Sequence, residues 1–335
     1  MTTIHAYAAH KPGGLLEPFT YEAGELGPEE VEVNVEYCGI CHSDLSMLNN
    51  DWEITEYPFV PGHEVIGTVA AIGSKVATVK PGQRVGIGWI GETCGTCQYC
   101  RTGDPNLCSS ATPVVMRPHG GFANQVRAHQ NWVIPIPAAL ASEGVSPLLC
   151  GGATVFNAIV QCGVKSTDHV GVIGLGGLGH MAVAFLAAWG CEVTVFSSSS
   201  HKASQAKALG AAHFFDSRDS AALANLADSL DFILSTVNVN LPWNDYLAAL
   251  SKKGRLHFAG VAPPLNDISV FELLMGQKTL GSSPDANPFT ITQMLGFACQ
   301  HHIQADVEVW PIAQVNAAIT KLKTEKPAGR IVLAL

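Results

Sequence analysis

The sequence predicts an α/β protein in which a mostly β region precedes a doubly wound parallel sheet. Up to about residue 150, glycine and proline separate short β-type segments, among them VEVNVEYCGI, EVIGTVAAIG and QRVGIGWI. From about Val170, apolar strands alternate with helices, a pattern typical of a parallel sheet that is covered on both faces. After about residue 287 the chain has two helical stretches and a last strand.

Each predicted element of the second half follows from its local pattern. The segment VGVIGLGGLGHMAVAFLAAWGCEVTVF is typical of a strand, a glycine turn, a helix and a further strand. Apolar and β-branched residues predict later strands at DFILSTV, GRLHFAGV, KTLGSS and RIVLAL. Helical periodicity predicts helices near TITQMLGFACQHH and AQVNAAITKLK.

Composition indicates a compact protein of about two domains. The chain has 335 residues, of which 47% are apolar and 14% are charged, and this balance excludes disorder. Nineteen Lys and Arg against 28 Asp and Glu give a net charge of −9 without a basic block. A nucleic-acid partner is therefore not expected, because binding to phosphates needs clustered cations.

We expect a cytoplasmic protein without a membrane partner. No apolar run reaches the roughly 20 residues of a bilayer-spanning helix, and MTTIHAYAAHKPGG lacks the order of a signal peptide. In that compartment the ten cysteines are metal ligands, catalytic groups or core residues more often than disulfides.

Four cysteines lie close together with the spacing C-x2-C-x2-C-x7-C, in the loop 94–108. Four thiolates complete a tetrahedral shell around Zn²⁺ and leave no position for a substrate, which predicts a structural metal. An iron–sulfur cluster and four unrelated thiols are the alternatives. The predicted ligands are Cys94, Cys97, Cys100 and Cys108.

A second set of candidate ligands is dispersed along the chain. Cys41 lies in YCGICHSD, His63 and Glu64 lie in VPGHEVIG, and Cys150 lies in PLLCGG. Two thiolates and one imidazole leave a fourth zinc position open, as in catalytic sites. Taken singly, each is weak evidence, because a lone Cys150 in an apolar stretch is a core residue more often than a ligand and a lone His is usually only hydrogen-bonded; together they favour a metal site. Glu64 is either a group behind the ligands or an occupant of the fourth position.

A glycine-rich turn follows an apolar strand and begins an apolar helix. Such glycines permit a tight turn and close backbone approach, so that a pyrophosphate can bind at the helix N-terminus. A plain glycine-rich turn is the alternative. The residues concerned are Gly174, Gly176, Gly177 and Gly179.

The end of the next strand favours NADP(H) over NAD. An NAD-binding protein places a carboxylate there for the ribose 2′-hydroxyl, whereas this chain has Ser197, Ser198, Ser199 and, shortly after, Lys202. Hydroxyls and an ammonium accept a 2′-phosphate that a carboxylate would repel. The alternative is a polar turn that caps the next helix.

These motifs together resemble the zinc-dependent alcohol dehydrogenases of the medium-chain dehydrogenase/reductase superfamily, in particular the cinnamyl-alcohol-dehydrogenase-like branch of NADP-dependent aldehyde reductases. The similarity extends over essentially the whole chain, through CGICHSD, PGHEVIGTVAAIGSKV, CGTCQYCRTGDPNLC, PLLCGGATV, GVIGLGGLGH and VTVFSSSSHK. The resemblance implies a GroES-like mostly-β catalytic domain over 1–150, an inserted Rossmann NADP-binding domain over 151–287, and a return to the catalytic domain over 288–335.

The resemblance also implies roles for individual residues. It implies Cys41, His63 and Cys150 as ligands of a catalytic zinc, with Glu64 as an alternate ligand, and a structural zinc on the four-cysteine loop. Ser43 matches the hydroxyl that transfers the substrate proton. His42 matches a residue near the cofactor pyrophosphate, and Thr154 matches one at the nicotinamide.

This chain departs from many relatives at one position of the proton relay, and its sequence gives only candidate residues for the substrate pocket. Many relatives have a histidine three residues after the proton-transferring hydroxyl, where this chain has Ser46, so water or another group must complete the relay. Trp52, Ile54 and Trp89 are candidates for an apolar substrate wall, although aromatic residues in such a β domain are equally often core.

The predicted activity is the reversible reduction of aromatic or medium-chain aliphatic aldehydes to primary alcohols with NADPH. Zn²⁺ acts as Lewis acid in this hypothesis, the nicotinamide delivers hydride and Ser43 transfers the proton. The alternatives are a polyol or secondary-alcohol dehydrogenase of the same superfamily and a non-catalytic zinc protein that binds NADPH. We also expect a homodimer, since relatives often associate through the Rossmann edge strand, here KTLGSS.

Overall fold

A computed structural model describes residues 2–116, 119–325 and 329–335. The chain forms two compact units, the first comprising Met1–Ala153 and Asp285–Leu335 and the second Thr154–Pro284. The domain limits at 150 and 287 that the sequence suggests stay a prediction.

The strands are numbered in chain order. They are β1 (Thr2–Ala8), β2 (Glu17–Ala23), β3 (Glu30–Ile40), β4 (Val65–Ile72), β5 (Arg84–Ile87), β6 (Ile90–Glu92), β7 (Thr112–Pro113), β8 (Gln125–His129), β9 (Ile134–Pro135), β10 (His169–Ile173), β11 (Glu192–Ser197), β12 (His213–Asp216), β13 (Leu230–Ser235), β14 (Leu250–Phe258), β15 (Thr279–Ser282), β16 (Val307–Pro311) and β17 (Arg330–Ala334).

The α-helices are numbered in the same way, and short 3₁₀ turns lie between them. The helices are α1 (His42–Asn49), α2 (Gln98–Thr102), α3 (Ser142–Val145), α4 (Gly151–Gln161), α5 (Gly177–Trp189), α6 (Ala203–Ala208), α7 (Ser220–Ala224), α8 (Trp243–Ala249), α9 (Val270–Gly276), α10 (Pro288–Gln300) and α11 (Val315–Glu325). The 3₁₀ turns are Pro105–Leu107, Val114–Met116, Gln130–Trp132, Ser146–Leu149, Ser200–Lys202 and Ile312–Gln314.

The first unit is built on a seven-stranded sheet in the order β16-β17-β3-β4-β5-β9, with β8 also paired to β3. All of its pairs are antiparallel except that of β16 with β17. Alternate residues of β3, such as Val31 and Val33, face a core that also contains Phe122 and Ile331. The long strand β3 ends at Ile40, directly before the first candidate ligand, Cys41.

The second unit contains a six-stranded sheet in the order β12-β11-β10-β13-β14-β15, and every pair is parallel. This is the order of the doubly wound dinucleotide-binding fold, in which the carboxyl ends of the central strands form the ligand crevice. The central strands β10 and β13 are mostly apolar and buried, as expected where helices cover both faces of a parallel sheet. The predicted fold class is thus confirmed.

Several short elements differ from the sequence-based expectation. The segment QRVGIGWI does not form one strand: β5 ends at Ile87 and β6 begins at Ile90, with Gly88 packed against the carbonyl oxygen of Leu149. The local sequence pattern also does not predict the edge strands β12 and β16, since their four and five residues are all at least partly exposed.

No single helix among the described residues is both long and apolar enough to cross a membrane. One bent pair, Ser142–Leu149 with Gly151–Gln161, meets the length and composition requirement.

Candidate functional site

The four dispersed candidate ligands come together in the first unit. The Sγ atoms of Cys41 and Cys150, one His63 ring nitrogen and one Glu64 carboxylate oxygen all lie within 4.8 Å of one another. Cys41 precedes α1, His63 and Glu64 directly precede β4, and Cys150 precedes α4. Three loop ends thus meet at one point, which we call the catalytic cluster.

Asp44, in the first turn of α1, fixes the geometry of this cluster. One of its carboxylate oxygens, Oδ2, accepts the Cys41 N–H at 2.9 Å. The other, Oδ1, accepts the Gly62 N–H at 2.9 Å and lies 3.0 Å from His63 Nδ1. One buried carboxylate therefore joins the loop before α1 to the loop before β4.

The donor set fits a zinc ion. The Nε2 atom of His63 is buried and has no hydrogen-bond partner among the described residues, while Asp44 engages Nδ1. A neutral imidazole in this arrangement presents a lone pair at Nε2, as in metal sites. The Sγ atoms of Cys41 and Cys150 are 3.8 Å apart, and two ligands about 2.3 Å from a tetrahedral zinc have about the same separation.

The local electrostatics favour a thiolate in this cluster. A hydrogen bond from the Cys150 thiol lowers the pKa of Cys41 well below its usual value, against the effect of burial. Thiolate is the form that binds metals. Burial disfavours a charged imidazole, yet the Asp44 carboxylate raises the pKa of His63 above its usual value.

Glu64 is fully buried and is held by Arg330 from the start of β17. Arg330 Nη2 forms an ion pair with Glu64 Oε1, while Oε2 has no hydrogen-bond partner among the described residues. Burial raises the pKa of Glu64 to about 8, and the Arg330 charge opposes this shift. One oxygen of the carboxylate is thus anchored by Arg330, and the other has no partner among the described residues.

Aromatic side chains lie beside the cluster. The Trp89 ring contacts His63 edge to face with centroids 4.9 Å apart, and it contacts Trp52 at 5.9 Å. Both indoles are partly buried against the core of the first unit, whereas Ile54 is exposed. The Ser43 Oγ atom lies 3.8 Å from Cys41 Sγ.

The four-cysteine loop gathers its thiols as the spacing predicted. The Sγ atoms of Cys94, Cys97, Cys100 and Cys108 all lie within 4.8 Å of one another. Cys94 is 3.9 Å from Cys100 and 3.5 Å from Cys108, sulfur to sulfur, which again fits one tetrahedral shell. Hydrogen bonds from the backbone N–H groups of Thr96 and Cys97 lower the pKa of Cys94 to about 6.

In the second unit the glycine turn has the backbone that dinucleotide binding requires. Gly174, after β10, has a φ of 91°, a conformation that other residues rarely adopt. A Cβ on Gly179 would lie 2.1 Å from the Gly174 carbonyl oxygen, so α5 packs directly on the turn. Gly176 caps α5 and Gly177 begins it; a Cβ on Gly176 would meet nothing within 4 Å, which leaves room for a pyrophosphate.

A run of four serines, residues 197–200, lies where β11 ends. Ser197 is the last residue of β11, and its Oγ accepts the Ser199 N–H at 3.3 Å. The Lys202 ammonium donates to the carbonyl oxygen of Leu175, between the turn glycines, at 2.9 Å. Ser197, Ser199 and Lys202 therefore lie at the same edge of the sheet as the glycine turn.

Two of the remaining candidates lie at helix starts, and the third follows a strand. His42 is the exposed first residue of α1 in the first unit. Thr154 lies in the first turn of α4 and is partly exposed. Ser198 follows the end of β11.

Sequence reasoning missed the two residues that support the ligands. Asp44 lies inside the motif CHSD, at the third position of a helix that Cys41 precedes, and this capping pattern was a usable signal. Arg330 is 266 residues from Glu64, and nothing in the local sequence connects the two.

Comparison with known proteins gives the family. Residues 27–138 match the alcohol dehydrogenase GroES-like domain, and residues 177–298 match the zinc-binding dehydrogenase family. The chain is 47% identical over 331 residues to an aldehyde reductase of Synechocystis sp., covering 99% of this chain and 98% of that protein.

Solved structures agree with this assignment. A cinnamyl alcohol dehydrogenase of Sorghum bicolor aligns with a TM-score of 0.95 and 35% identity, over 99% of this chain and 98% of that one. A cinnamyl alcohol dehydrogenase of Helicobacter pylori complexed with NADP(H) aligns with a TM-score of 0.90 and 29% identity, over 99% and 98%.

Fold, donor sets and comparisons define a metal-dependent dehydrogenase of the medium-chain class. The chain belongs to the zinc-binding alcohol dehydrogenase family and is an oxidoreductase similar to cinnamyl alcohol dehydrogenases and aldehyde reductases.

Proposed function

We propose that this protein reduces aldehydes to primary alcohols with NADPH and binds two zinc ions per chain. The observation that supports this most directly is the convergence of Cys41, His63 and Cys150, with His63 Nε2 buried and, among the described residues, unpartnered. The aldehyde reductase and cinnamyl alcohol dehydrogenase names of relatives over nearly the full chain agree with it.

Cys41, His63 and Cys150 would hold the catalytic ion, and Glu64 would serve as an alternate ligand. Zinc bound there supplies a Lewis acid for the substrate oxygen, as NADPH supplies the hydride. Asp44 keeps the proton of His63 on Nδ1, which directs Nε2 towards the ion. Arg330 stabilises the buried Glu64 carboxylate and restricts it to one free oxygen.

Ser43 is the proton donor in this proposal. Its hydroxyl lies 3.8 Å from Cys41 Sγ, at the start of the helix that Cys41 precedes, and donates a proton to the substrate oxygen during reduction. In oxidation the same hydroxyl accepts that proton. Ser46, three residues later, lacks an imidazole, so water or another group completes the proton transfer beyond Ser43.

The four-cysteine loop would hold the second ion in a structural role. Cys94, Cys97, Cys100 and Cys108 supply four sulfurs and leave no position for a substrate. The lowered pKa of Cys94 favours the thiolate that such a site requires.

NADP(H) preference follows from the charges at the end of β11. Ser197 offers a hydroxyl where a carboxylate would select NAD, and Lys202 supplies a cation. Asp216 is the neighbour of Ser197 in β12, but Arg218 holds it in a two-pronged ion pair at 2.9 and 2.6 Å. These two strand ends therefore do not present an unpaired carboxylate to the 2′-phosphate.

We further propose an apolar substrate wall and a homodimer. Trp52 and Trp89 form an aromatic pair beside His63, which suits aromatic or medium-chain aldehydes. Within the described residues, β15 pairs with β14 only, leaving an open sheet edge. Helix α9 exposes Val270, Phe271, Leu274 and Met275 nearby in the chain, and such patches mark association surfaces.

The decisive experiment is a substrate panel with NADPH and NADH side by side. Aromatic aldehydes, aliphatic aldehydes and polyols are assayed with the wild-type protein and with Cys41→Ser. We expect turnover of aldehydes with NADPH that Cys41→Ser abolishes while NADPH binding persists. Oxidation of polyols in preference would instead support a polyol dehydrogenase, and no turnover at all would support a non-catalytic protein.

A further inference from the structure

A cysteine, a histidine and a serine of the second unit are in contact, and none of them belongs to either group of candidate zinc ligands. Cys162 Sγ lies 3.2 Å from His257 Nδ1, and the other ring nitrogen, Nε2, lies 2.9 Å from Ser283 Oγ. All three residues lie within the unit Thr154–Pro284. The proposed reaction assigns no role to them, and we call them the thiol triad.

Three elements of regular structure bring these side chains together. Cys162 directly follows α4, and its backbone N–H still donates to the Ala158 carbonyl oxygen at 3.0 Å. His257 lies near the end of β14. Ser283 directly follows β15, the strand that pairs with β14. A helix end and two hydrogen-bonded strands therefore set the geometry of the thiol triad.

The imidazole of His257 is arranged as a base towards the thiol. A neutral ring carries one N–H, which bonds more strongly to the Ser283 hydroxyl oxygen than to sulfur, a weak acceptor. With this proton on Nε2, the lone pair of Nδ1 faces Cys162 and accepts its S–H. A thiol, a base and a third group that orients the base form the arrangement of an activated nucleophile.

Burial keeps both partners of this pair uncharged near neutral pH. His257 is buried, which lowers the pKa of its imidazole. Burial also raises the pKa of the Cys162 thiol, and the Arg255 charge, two residues before His257 on the same face of β14, opposes that shift. The neighbouring strand β13 contributes the uncharged ring of Phe232, 6.3 Å from the imidazole between centroids. The thiol therefore loses its proton only as the sulfur attacks.

Two glycines leave the sulfur side of the thiol triad open. Gly281 of β15 pairs with His257, and a Cβ built on it would lie 3.3 Å from His257 Nδ1. Gly163 follows Cys162, which is itself partly exposed, and a Cβ built on Gly163 would meet nothing within 4 Å. A second chain along the open edge of β15 would lie in the plane of the sheet, whereas this opening lies on its face. A small molecule can therefore reach the sulfur.

We propose that Cys162 is a modification site for small, uncharged α,β-unsaturated carbonyl compounds, with His257 as general base and Ser283 as the residue that positions this base. The sulfur forms a bond to the β-carbon of the electrophile while His257 Nδ1 takes the thiol proton. The electron pair of the carbon–carbon double bond moves towards the carbonyl group, and the proton is then transferred to the α-carbon. The thioether product contains every atom of both reactants, so no oxidant or further reactant is needed.

This class of electrophile suits the site for two reasons. Conjugate addition returns to carbon the proton that His257 removes, so the imidazole serves first as a base and then as an acid. The opening has the size of the side chain that Gly281 lacks, which favours a small molecule over a glutathione-type disulfide. Adduct formation requires neither zinc nor NADPH, and it is therefore independent of the proposed reaction.

The first test is labelling of the full-length protein with N-ethylmaleimide at pH 7, followed at each cysteine by peptide mass spectrometry. Cys299 of α10 is the internal reference, because this partly exposed thiol has no side-chain hydrogen bond within the described part of the chain. We expect Cys162 to react at least about tenfold faster than Cys299, since a positioned base accelerates proton removal by about 100-fold or more. An equal or slower rate at Cys162 would overturn the proposal.

The pH profile separates a base from a group that only supports the local structure. From pH 7 to pH 8 the wild-type rate at Cys162 should change by less than about twofold, because both partners stay uncharged. An unassisted thiol reacts as thiolate and gains nearly tenfold over the same interval. His257→Gln should show this steep rise and start about tenfold lower at pH 7, and Ser283→Ala should lose about threefold without it. A steep rise in the wild-type protein would refute the role of His257.

Gly281→Val tests the access to the sulfur and leaves the thiol triad unchanged. The added side chain would cover His257 Nδ1, and we expect labelling of Cys162 to slow by about fivefold or more. Thr279→Val is the matched control, since Thr279 lies on the same face of β15 but pairs with Arg255. An unchanged rate in Gly281→Val would contradict the proposed opening, even if His257→Gln did not fold.

Oxidised glutathione distinguishes the class of electrophile. The ratio of the Cys162 rate to the Cys299 rate should be lower with this disulfide than with N-ethylmaleimide, because the disulfide is larger and charged. A higher ratio with oxidised glutathione would assign the site to disulfide exchange and overturn the proposed class. If the wild-type protein reduces no aldehyde, the proposed function fails, while these labelling rates still decide the role of Cys162.

Discussion

His63 Nδ1 lies 3.0 Å from Asp44 Oδ1, and this buried contact determines which imidazole nitrogen faces Cys41 and Cys150. The same carboxylate oxygen accepts the Gly62 N–H, so the loop before His63 is fixed together with its ring. A carboxylate on the far nitrogen both sets the tautomer and makes the near nitrogen a stronger donor. The cluster is therefore pre-organised for a cation by a residue that is not itself a candidate ligand.

Asp44→Ala is expected to weaken zinc binding at the catalytic cluster by about 10- to 100-fold, because His63 loses its orienting partner. The measurement is loss of one zinc per chain under titration with a chelator. Asp51→Ala, an exposed aspartate just after the same helix, is the control and should behave as wild type. Wild-type zinc retention in Asp44→Ala would contradict the role assigned to this carboxylate.

Removing one sulfur from the four-cysteine loop should cause the loss of one proposed zinc ion and leave the other bound. Cys97→Ser is expected to lower the zinc content from about two to about one per chain and to lower the melting temperature, because the loop loses its metal cross-link. Zinc is counted by mass spectrometry, and unfolding is followed by calorimetry. Cys191→Ser is the control, since Cys191 is a buried thiol in the second unit. An unchanged zinc count in Cys97→Ser would exclude a metal in this loop.

Arg330→Met should destabilise the first unit by about 3–5 kcal/mol, because it leaves Glu64 as a buried carboxylate without its counter-ion. The double variant Arg330→Met/Glu64→Gln should recover much of this loss, as no charge then remains buried at that pair. Denaturant unfolding gives the free energies.

A second buried pair provides the comparison for this effect. Arg127 and Glu32, 2.7 Å apart in the same unit, are also nearly buried. Arg127→Met should reduce stability similarly but leave aldehyde turnover unchanged, whereas Arg330→Met should reduce both. Equal turnover in the two variants would show that Arg330 serves stability alone.

Much of the fold followed from local patterns, while the supporting contacts did not. The alternation of apolar strands and helices after Val170 was sufficient to predict a parallel sheet. The convergence of Cys41, His63 and Cys150 was inferred from ligand chemistry and a family resemblance. By contrast, the Glu64–Arg330 pair depends on the register that places β17 beside β3, which no local segment encodes.

The position of Asp285 illustrates the same limit. Its neighbours in sequence carry no motif, whereas its carbonyl oxygen accepts a hydrogen bond from Asn106, which is 179 residues away. Short elements behave similarly: β12 has four residues with partial exposure, too few for a periodic signal.

Ser197→Asp is expected to raise the KM for NADPH by at least about tenfold and to leave the KM for NADH unchanged or lower, since a carboxylate would then face the 2′ position.

Arg218→Ala tests the charge on the neighbouring strand. The Arg218 ion pair lowers the pKa of Asp216 to about 2, and without it the Asp216 charge is uncompensated one strand away from Ser197. We expect a smaller loss, about threefold, in NADPH affinity. Initial rates give the KM for each nucleotide, and fluorescence titration gives its affinity. The control is Lys252→Ala, which removes a cation paired to Asp228 at 3.1 Å. If Ser197→Asp binds NADPH as tightly as wild type, the 2′-phosphate pocket lies elsewhere.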